Sequence, residues 1–342
     1  MQTLTQSEVD SLLDGLIVQT SSELSVYSNT ADKKYDRLLR CWNVTSYSQR
    51  QTLHTCARKY QLIMHEAADP TPSLEQKVNL DFTFGHAVGA GVQSWLLTGD
   101  LEKATFNSLM AWRAPFDERL DKKRKSLWEA VLAVESFVQF WHDSGMGDEW
   151  ELAYLPNGKP AIELAFSLHA PNGFKDYGHI DVVLRNKRTG RYAVLELKTT
   201  GAGADEAQYA NSDQATGYSL TLPSVWPGVQ EYTVYYCVYE TTKSKWVVMP
   251  FDKTIRDRAE WVKSLLLDHS AVKTYEEIGF YPKRGESCFT FGRRCQFFGT
   301  CNLVPDDPLP KLEADQEAEP VDAVISLADV IAELKAEKER KF

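Results

Sequence analysis

The stretch 178–198 constrains the fold most, because its pattern is that of two strands joined by a turn. Ile180–Leu184 and Tyr192–Leu197 are apolar runs. The segment between them is polar and has Gly190 near its end, which is typical of a β-hairpin. A chain with this feature must contain a sheet, and the hairpin fixes which side chains meet on it.

The expected register of this hairpin brings three charged residues together. A turn centred between Arg188 and Thr189 sets Asp181 opposite Glu196. Side chains two positions apart share one face of a strand, so Lys198 is expected beside Glu196. The sequence therefore predicts two carboxylates and one ammonium group where a strand pair ends.

Two carboxylates beside a lysine suit the binding of a hard divalent cation. Mg²⁺ prefers carboxylate oxygen and often links it to a phosphate, and the lysine is placed to hold a water molecule and to offset charge. The alternative is a surface hairpin with a cross-strand salt bridge, which contributes little stability. Asp181 and Glu196 each lie in a strongly apolar stretch, where charge needs a partner or a chemical role.

Length and charge limit the possible classes of protein. The 342 residues are enough for one large domain or two. No apolar run approaches the ~18 residues of a membrane span, and the N-terminus lacks a secretory pattern, so a cytoplasmic protein without a membrane partner is expected. The net charge is −10, of which residues 305–342 contribute −6. This acidity argues only against strong, non-specific binding of duplex DNA.

The order of elements predicts an α/β protein with three regions. Residues 1–35 are expected to be a peripheral segment with an amphipathic helix at Val9–Val18, residues 36–303 the main domain, and residues 304–342 an acidic linker with a short amphipathic helix. Helices are expected at Ser46–Glu66, Leu74–Leu97, Gln208–Leu220 and Asp252–Asp268, and the region 103–144 is expected to be largely helical. Besides the hairpin, strands are expected at Ala161–Leu168, Gln230–Glu240 and Lys245–Met249.

The cysteines indicate a second metal site. Cys288, Cys295 and Cys301 lie close together in a chain without signs of export, which favours metal binding over disulfides. Cys56 is the candidate for a fourth ligand, and four thiolates suit an iron–sulfur cluster or a structural zinc. The alternative is that the three are buried or incidental thiols. Cys237 alternates along an apolar strand and is expected in the core, whereas Cys41 has no expected partner.

Several motifs resemble, in their order along the chain, those of the PD-(D/E)XK nuclease superfamily. They are Cys56-Ala-Arg-Lys-Tyr60, Gly85-His86, Gly178-His-Ile-Asp181, Glu196-Leu-Lys198, Gln214-Ala-Thr-Gly-Tyr218 and the cysteine triplet. The resemblance is to the RecB-like branch with an iron–sulfur cluster, which includes AddB-type and CRISPR-adaptation nucleases. Ala57 replaces the usual proline of the first motif, and the glycine spacing before His86 departs from the family pattern.

The resemblance implies a restriction-endonuclease-like fold, in which helices flank a mixed β-sheet core. The order of elements adds a helical N-terminal part, and the resemblance also implies an iron–sulfur-binding C-terminal segment. His86, Asp181 and Glu196 would hold Mg²⁺ or Mn²⁺, Lys198 would position the attacking water, and Gln214 and Tyr218 would hold the DNA backbone or Lys198. Cys56, Cys288, Cys295 and Cys301 would hold a [4Fe–4S] cluster, with zinc as the alternative. Glu163 lies on the preceding strand and is expected to face the site.

The function implied is that of a metal-dependent deoxyribonuclease, specifically an exonuclease acting on single-stranded DNA or DNA ends. Recombination, repair, phage replication and CRISPR adaptation are all open as its pathway. Because the sequence has no helicase motif, unwinding would require a helicase, recombination or integration partner. One alternative is a non-catalytic DNA-binding or scaffold subunit with a nuclease-like fold. Another is a zinc-stapled restriction-type endonuclease. The intact set of Asp181, Glu196 and Lys198 favours an enzyme.

Overall fold

The computed structural model describes residues 17–20, 44–68, 79–112, 114, 124–169, 174–226, 228–229, 231–290 and 293–303. Its centre is an eight-stranded mixed sheet in the order β1-β4-β5-β6-β7-β8, with β2 and β3 also paired to β5. The strands are β1 (Ile17–Thr20), β2 (Val44–Ser46), β3 (Trp150–Leu152), β4 (Ile162–His169), β5 (Lys175–Asn186), β6 (Tyr192–Thr200), β7 (Tyr232–Glu240) and β8 (Lys245–Lys253). The β2–β5 and β6–β7 pairs are parallel and the others antiparallel.

Helices flank this sheet, and a small C-terminal ribbon follows. The helices are α1 (Tyr47–Thr55), α2 (Ala57–Ala68), α3 (Leu80–Thr98), α4 (Leu101–Ala111), α5 (Leu127–Asp143), α6 (Met146–Glu149), α7 (Glu206–Ala210), α8 (Asp213–Val225) and α9 (Ile255–Ile278). The ribbon pairs β9 (Phe289–Thr290) with β10 (Arg293–Arg294). This architecture is the mixed α/β core predicted from the order of elements. No helix in the described ranges combines the length and the apolar character needed to cross a bilayer.

The two faces of the sheet bury separate clusters of side chains. Ala193 and Leu195 pack with Phe84 of α3 and Phe137 of α5 on one face. Val194, between them in sequence, packs in the other cluster, which includes residues of α8 and α9. This alternation follows from the two-residue period of a strand. The central strands are therefore covered on both sides, which places their polar side chains away from bulk water.

The predicted hairpin is confirmed in position and register. Val182 pairs with Leu195 and Val183 with Val194, as a turn centred between Arg188 and Thr189 requires. The Asn186 side chain accepts hydrogen bonds from the backbone N–H groups of Arg188 and Thr189. Gly190 closes the loop with φ +72°, a left-handed conformation that glycine adopts without a side-chain clash.

Two expected helices are each divided. The single helix expected over Ser46–Glu66 is wrong, because Cys56 is extended (φ −164°, ψ 109°) and separates α1 from α2. The helix expected over Gln208–Leu220 is interrupted between α7 and α8. Both breaks lie beside residues that the sequence singles out for function.

The N-terminal segment contains a strand at residues that were expected to be helical. Ile17 and Val18, expected at the end of an amphipathic helix, lie in the edge strand β1 and pair with β4. The rest of Val9–Val18 lies outside the described residues, as do Cys41 and the region 304–342.

Candidate active site

The end of the β5–β6 hairpin gathers the predicted charged residues. Lys198 Nζ lies 2.7 Å from Glu196 Oε1 and donates a hydrogen bond to it. Asp181 Oδ2 accepts a hydrogen bond of 2.8 Å from the backbone N–H of Leu197, which lies between Glu196 and Lys198 in sequence. The hairpin thus brings both carboxyl groups and the ammonium group together, as its register predicts.

Helix α8 adds two side chains from the face that it turns toward the hairpin. Gln214 and Tyr218 are four residues apart, and such residues share one side of a helix. Lys198 Nζ donates to Gln214 Oε1 at 2.8 Å, and Tyr218 Oη donates to Glu196 Oε2 at 2.9 Å. The resemblance implies that this pair holds either the DNA backbone or Lys198. In the structure, Gln214 contacts Lys198. The catalytic roles of all five residues stay predictions.

Glu196 is the buried centre of this network. Its side chain is fully buried, and its two oxygens accept from Lys198 and Tyr218 respectively. A carboxylate away from water needs such donors, because unpaired buried charge is strongly unfavourable. The donors also fix the direction in which the carboxylate points.

A third carboxyl group reaches the site from β4, and a glutamine holds it. Gln93 of α3 donates to Glu163 Oε1 at 2.5 Å and approaches the backbone oxygen of Asp181 at 3.4 Å. Glu163 has φ +47°, a left-handed conformation that is uncommon for a residue other than glycine and carries a cost of about 1–3 kcal/mol. The expectation that Glu163 faces the site agrees with its electrostatic effect on Asp181.

The electrostatics of the site reflect this concentration of carboxyl groups. Burial, followed by the charges of Glu196 and Glu163, raises the pKa of Asp181 well above its ordinary value, against the opposing effect of Lys198. Burial lowers the pKa of Lys198, but Glu196 and Asp181 raise it by more, so it lies above its ordinary value. Burial also raises the pKa of Tyr218, which keeps its hydroxyl group as a hydrogen-bond donor.

His86 lies on α3, seven residues before Gln93 and therefore on the same side of that helix. Its side chain is buried, and its ring stacks on Phe82 with 5.8 Å between centroids. The neighbouring Gly85 approaches β6 so closely that a Cβ atom there would lie 3.4 Å from Thr199 Oγ1. Helix α3 therefore passes the end of β6 that carries Lys198. The role of His86 as a metal ligand stays a prediction.

The donor set fits a hard divalent cation in its chemistry. Carboxyl oxygens of Asp181 and Glu196 are the ligands that Mg²⁺ and Mn²⁺ prefer. A cation would relieve the carboxylate repulsion that, after burial, raises the pKa of Asp181. In the described part of the chain, no group of three or more His, Cys, Asp or Glu side chains is already arranged to hold a metal ion.

The segments that carry the four cysteines lie against each other. Ser287 Oγ donates to the backbone oxygen of Thr55, and an Arg58 guanidinium nitrogen donates to that of Cys301 at 3.2 Å. The backbone N–H of Cys295 donates to the carbonyl of Cys288 at 2.9 Å. The backbone thus brings the region of Cys56 to the C-terminal triplet, although the four thiol groups do not converge as a ligand group in the described structure. Cys237 lies in the core, as expected, and burial raises the pKa of its thiol.

Gln93 is a site residue that the sequence argument missed. Its signal is its position seven residues after His86, two turns along one helix face. That signal becomes useful only once α3 is known to cross the sheet beside β4 and β5.

A mixed sheet that carries Asp181 on one strand and Glu196-x-Lys198 on the next, with helices on both faces, defines a nuclease-type core. The family model of the PD-(D/E)XK nuclease superfamily matches residues 44–302, and the chain belongs to this superfamily. Among solved structures, a Eubacterium rectale protein named "Putative exonuclease" is similar, with 12% identity and a TM-score of 0.47. The similarity covers 88% of this chain and 100% of that one. No curated protein sequence matches the chain.

Proposed function

We propose that the protein is a divalent-metal-dependent deoxyribonuclease that hydrolyses phosphodiester bonds, as an exonuclease on single strands or DNA ends. The observation that carries the proposal is the arrangement of Asp181, Glu196 and Lys198 at the end of one hairpin. Membership of the nuclease superfamily supports it.

In this proposal, each residue has a defined task. Asp181, Glu196 and His86 would hold the cation, which when bound would supply Lewis-acid activation of phosphate and water. Lys198, held by Glu196 and Gln214, donates hydrogen bonds to the attacking water and offsets negative charge at phosphorus. Water adds to phosphorus, the bond from phosphorus to one sugar oxygen breaks, and the water protons pass to that oxygen and to solvent. The products are a phosphate monoester and a free hydroxyl group.

The decisive test compares two lysines of the same hairpin. Labelled single-stranded DNA is incubated with wild type, Lys198→Ala and Lys187→Ala, in the presence of Mg²⁺ or Mn²⁺. Lys187 is the matched control, because it lies in the turn at the opposite end and contacts the backbone oxygen of Gly147. Lys198→Ala is expected to slow cleavage by about 10²–10³-fold or more, whereas Lys187→Ala leaves it unchanged.

Equal cleavage by Lys198→Ala and wild type would refute the assignment. Absence of cleavage by wild type across metals and across linear, circular and duplex DNA would instead favour a DNA-binding scaffold subunit. Linearisation of circular duplex DNA would favour a restriction-type endonuclease.

We also propose that Cys56, Cys288, Cys295 and Cys301 hold a [4Fe–4S] cluster with a structural role. The hydrogen bonds from the Ser287 and Arg58 side chains support it, since they join the two ends of the domain where the cysteines lie. Joining positions so distant in sequence reduces the freedom of the unfolded chain, and a cluster bound only by the folded form adds its binding energy to folding. Anaerobic purification followed by iron, sulfide and zinc analysis tests the cluster. A zinc content of one per chain without iron would assign zinc instead.

A further inference from the structure

A polar cleft of about 420 Å³ opens beside Lys198. One wall is helix α1, which presents Tyr47, Arg50, Gln51 and His54, residues that share a helix face. Another wall is the α7–α8 region, and the end of β6 lines the cleft with Lys198 of the candidate catalytic site. The volume is within the range of roughly 300–1,000 Å³ that is typical of sites for small organic ligands.

The lining of the cleft favours an anionic, hydrogen-bonding ligand. Arg50 and Lys198 provide positive charge, each beside a buried carboxyl group, Asp176 and Glu196 respectively, and Asp213 is the acidic residue among the lining side chains. The side-chain amides of Gln51, Gln208 and Asn211 add hydrogen-bond donors and acceptors. Gln51 lies on α1 and Gln208 on α7, and both are exposed. This composition differs from the net acidity of the whole chain, which is −10.

Arg50 is held in place rather than free to move. Its guanidinium lies 4.9 Å from the ring centroid of Trp261, and its Nε lies 3.6 Å from Asp176 Oδ1, with both side chains almost fully buried. An arginine oriented in this way presents its remaining N–H groups in a fixed direction, which suits recognition of phosphate. Tyr236 is also fully buried at the cleft. The Tyr236 hydroxyl group lies near Ser212, but among the described residues it has no hydrogen-bond partner at ordinary geometry.

We propose that this cleft is a nucleotide subsite, in which Arg50 faces a phosphate of the DNA strand next to the scissile bond. The inference rests on the proposed nuclease function and adds where the strand lies relative to Lys198. The ligand chemistry is a nucleotide phosphate, which comes either from a strand end or from an internal phosphodiester. The amide side chains on both walls contact the sugar and base of the same nucleotide.

Binding is measured in the Asp181→Asn background, so that the strand is not cleaved, by fluorescence anisotropy with a labelled single-stranded oligonucleotide. Gln51→Glu and Gln208→Glu each add a negative charge to one wall of the cleft, and Gln139→Glu makes the same change on an exposed position of α5, outside the cleft. We expect each cleft substitution to weaken binding about tenfold and Gln139→Glu to change it less than twofold. Asp213→Asn, which removes a negative charge, is expected to tighten binding severalfold.

The DNA arms identify the source of the phosphate. If the cleft takes a terminal phosphate, the Gln51→Glu effect is large for 5′- or 3′-phosphorylated linear strands and is absent for unphosphorylated or circular ones. If it takes an internal phosphodiester, circular strands show the same effect. Arg50→Lys, which keeps the charge but loses the planar fork, is expected to weaken binding in either case.

Equal affinities for Gln51→Glu, Gln208→Glu and Gln139→Glu would overturn the subsite, whatever the nuclease assay shows. The two proposals fail separately. Cleavage that depends on Lys198, combined with unaltered binding by the cleft variants, refutes the subsite alone. Absence of cleavage by wild type refutes the proposed function.

Discussion

The hydrogen bond from Tyr218 to Glu196 offers a sharp test of how the site is built. Tyr218→Phe removes the hydroxyl that donates to Glu196 Oε2 at 2.9 Å, while the ring keeps its edge-on packing against Phe166, with centroids 6.0 Å apart. Both the tyrosine and the glutamate are almost fully buried, so water cannot replace the lost donor. A hydrogen bond to a charged group contributes about 1.5–3 kcal/mol, which corresponds to roughly 10- to 150-fold in an equilibrium constant.

The loss should appear in metal dependence as well as in stability. Hydrogen-bond partners of metal-binding carboxylates commonly contribute about 10- to 100-fold in metal affinity or activity, because they hold the carboxylate in its binding orientation. We therefore expect Tyr218→Phe to raise the Mn²⁺ concentration for half-maximal cleavage by about that factor, and to lower the free energy of unfolding by about 2 kcal/mol. Cleavage rates over a Mn²⁺ titration and urea unfolding in chelator measure the two effects separately.

Tyr232→Phe is the matched control for this experiment. Tyr232 is equally buried and donates to the backbone oxygen of Ala215 instead of to a carboxyl group. Its loss should lower the free energy of unfolding by about 1 kcal/mol and leave the Mn²⁺ midpoint unchanged. If both variants show the wild-type Mn²⁺ midpoint, the hydrogen bond from Tyr218 to Glu196 has no part in metal binding.

Three further predictions follow from the packing and charge of named residues. Gly178→Ala places a Cβ atom 2.5 Å from Phe166 Cζ and should lower the free energy of unfolding, measured with urea, by about 1–3 kcal/mol. Gly89→Ala in α3 is the control, because its Cβ atom would meet no atom within 4 Å and should not lower that free energy. Burial lowers the pKa of His269 to about 4 from its ordinary 6.5, so its contribution to stability is present above pH 6.5 and is lost as pH falls toward 4. Between pH 7 and pH 5 the wild type should therefore lose about 2 kcal/mol more unfolding free energy than His269→Leu, and parallel pH profiles would contradict this. Cys→Ala at any of the four cluster positions should remove iron and reduce solubility, whereas Cys237→Val keeps iron; a variant without all four cysteines that stays folded and active would exclude the cluster.

The hairpin could be predicted in detail because its determinants are local. The turn segment, the two apolar runs and the period of a strand lie within 178–198, and together they fix the register. The position of Lys198 beside Glu196 follows from the same period. For Gln214 the sequence leaves two roles open, contact with the DNA backbone or with Lys198, because the direction from which α8 approaches depends on the packing of the whole sheet. The structure shows the contact with Lys198.

The break at Cys56 could not be predicted, because its cause is distant in sequence. Residues 57–60 continue the helical pattern of α1, so local preference favours one long helix. In the structure the backbone N–H of Arg58, in the first turn of α2, donates to the carbonyl of Pro282. The backbone N–H groups in the first turn of a helix have no partner within that helix. Here the C-terminal segment accepts the hydrogen bond from one of them, and this contact favours a new helix after Cys56 and the end of α1 at Thr55.

The left-handed conformation of Glu163 also depends on contacts that are distant in sequence, and it bears on the charge of the site. Local preference places a glutamate in an apolar strand in ordinary extended geometry, with no reason for φ +47°. The surrounding sheet, with pairs Ile162–Val182 and Leu164–Ile180 on either side, holds the chain in this conformation while Gln93 binds the carboxyl group. Glu163, Asp181 and Glu196 together concentrate negative charge beside the ammonium group of Lys198, at a cost in stability that the double-sided core must offset. A bound cation would remove that repulsion, so the feature that destabilises the metal-free fold is also the one that favours binding a metal.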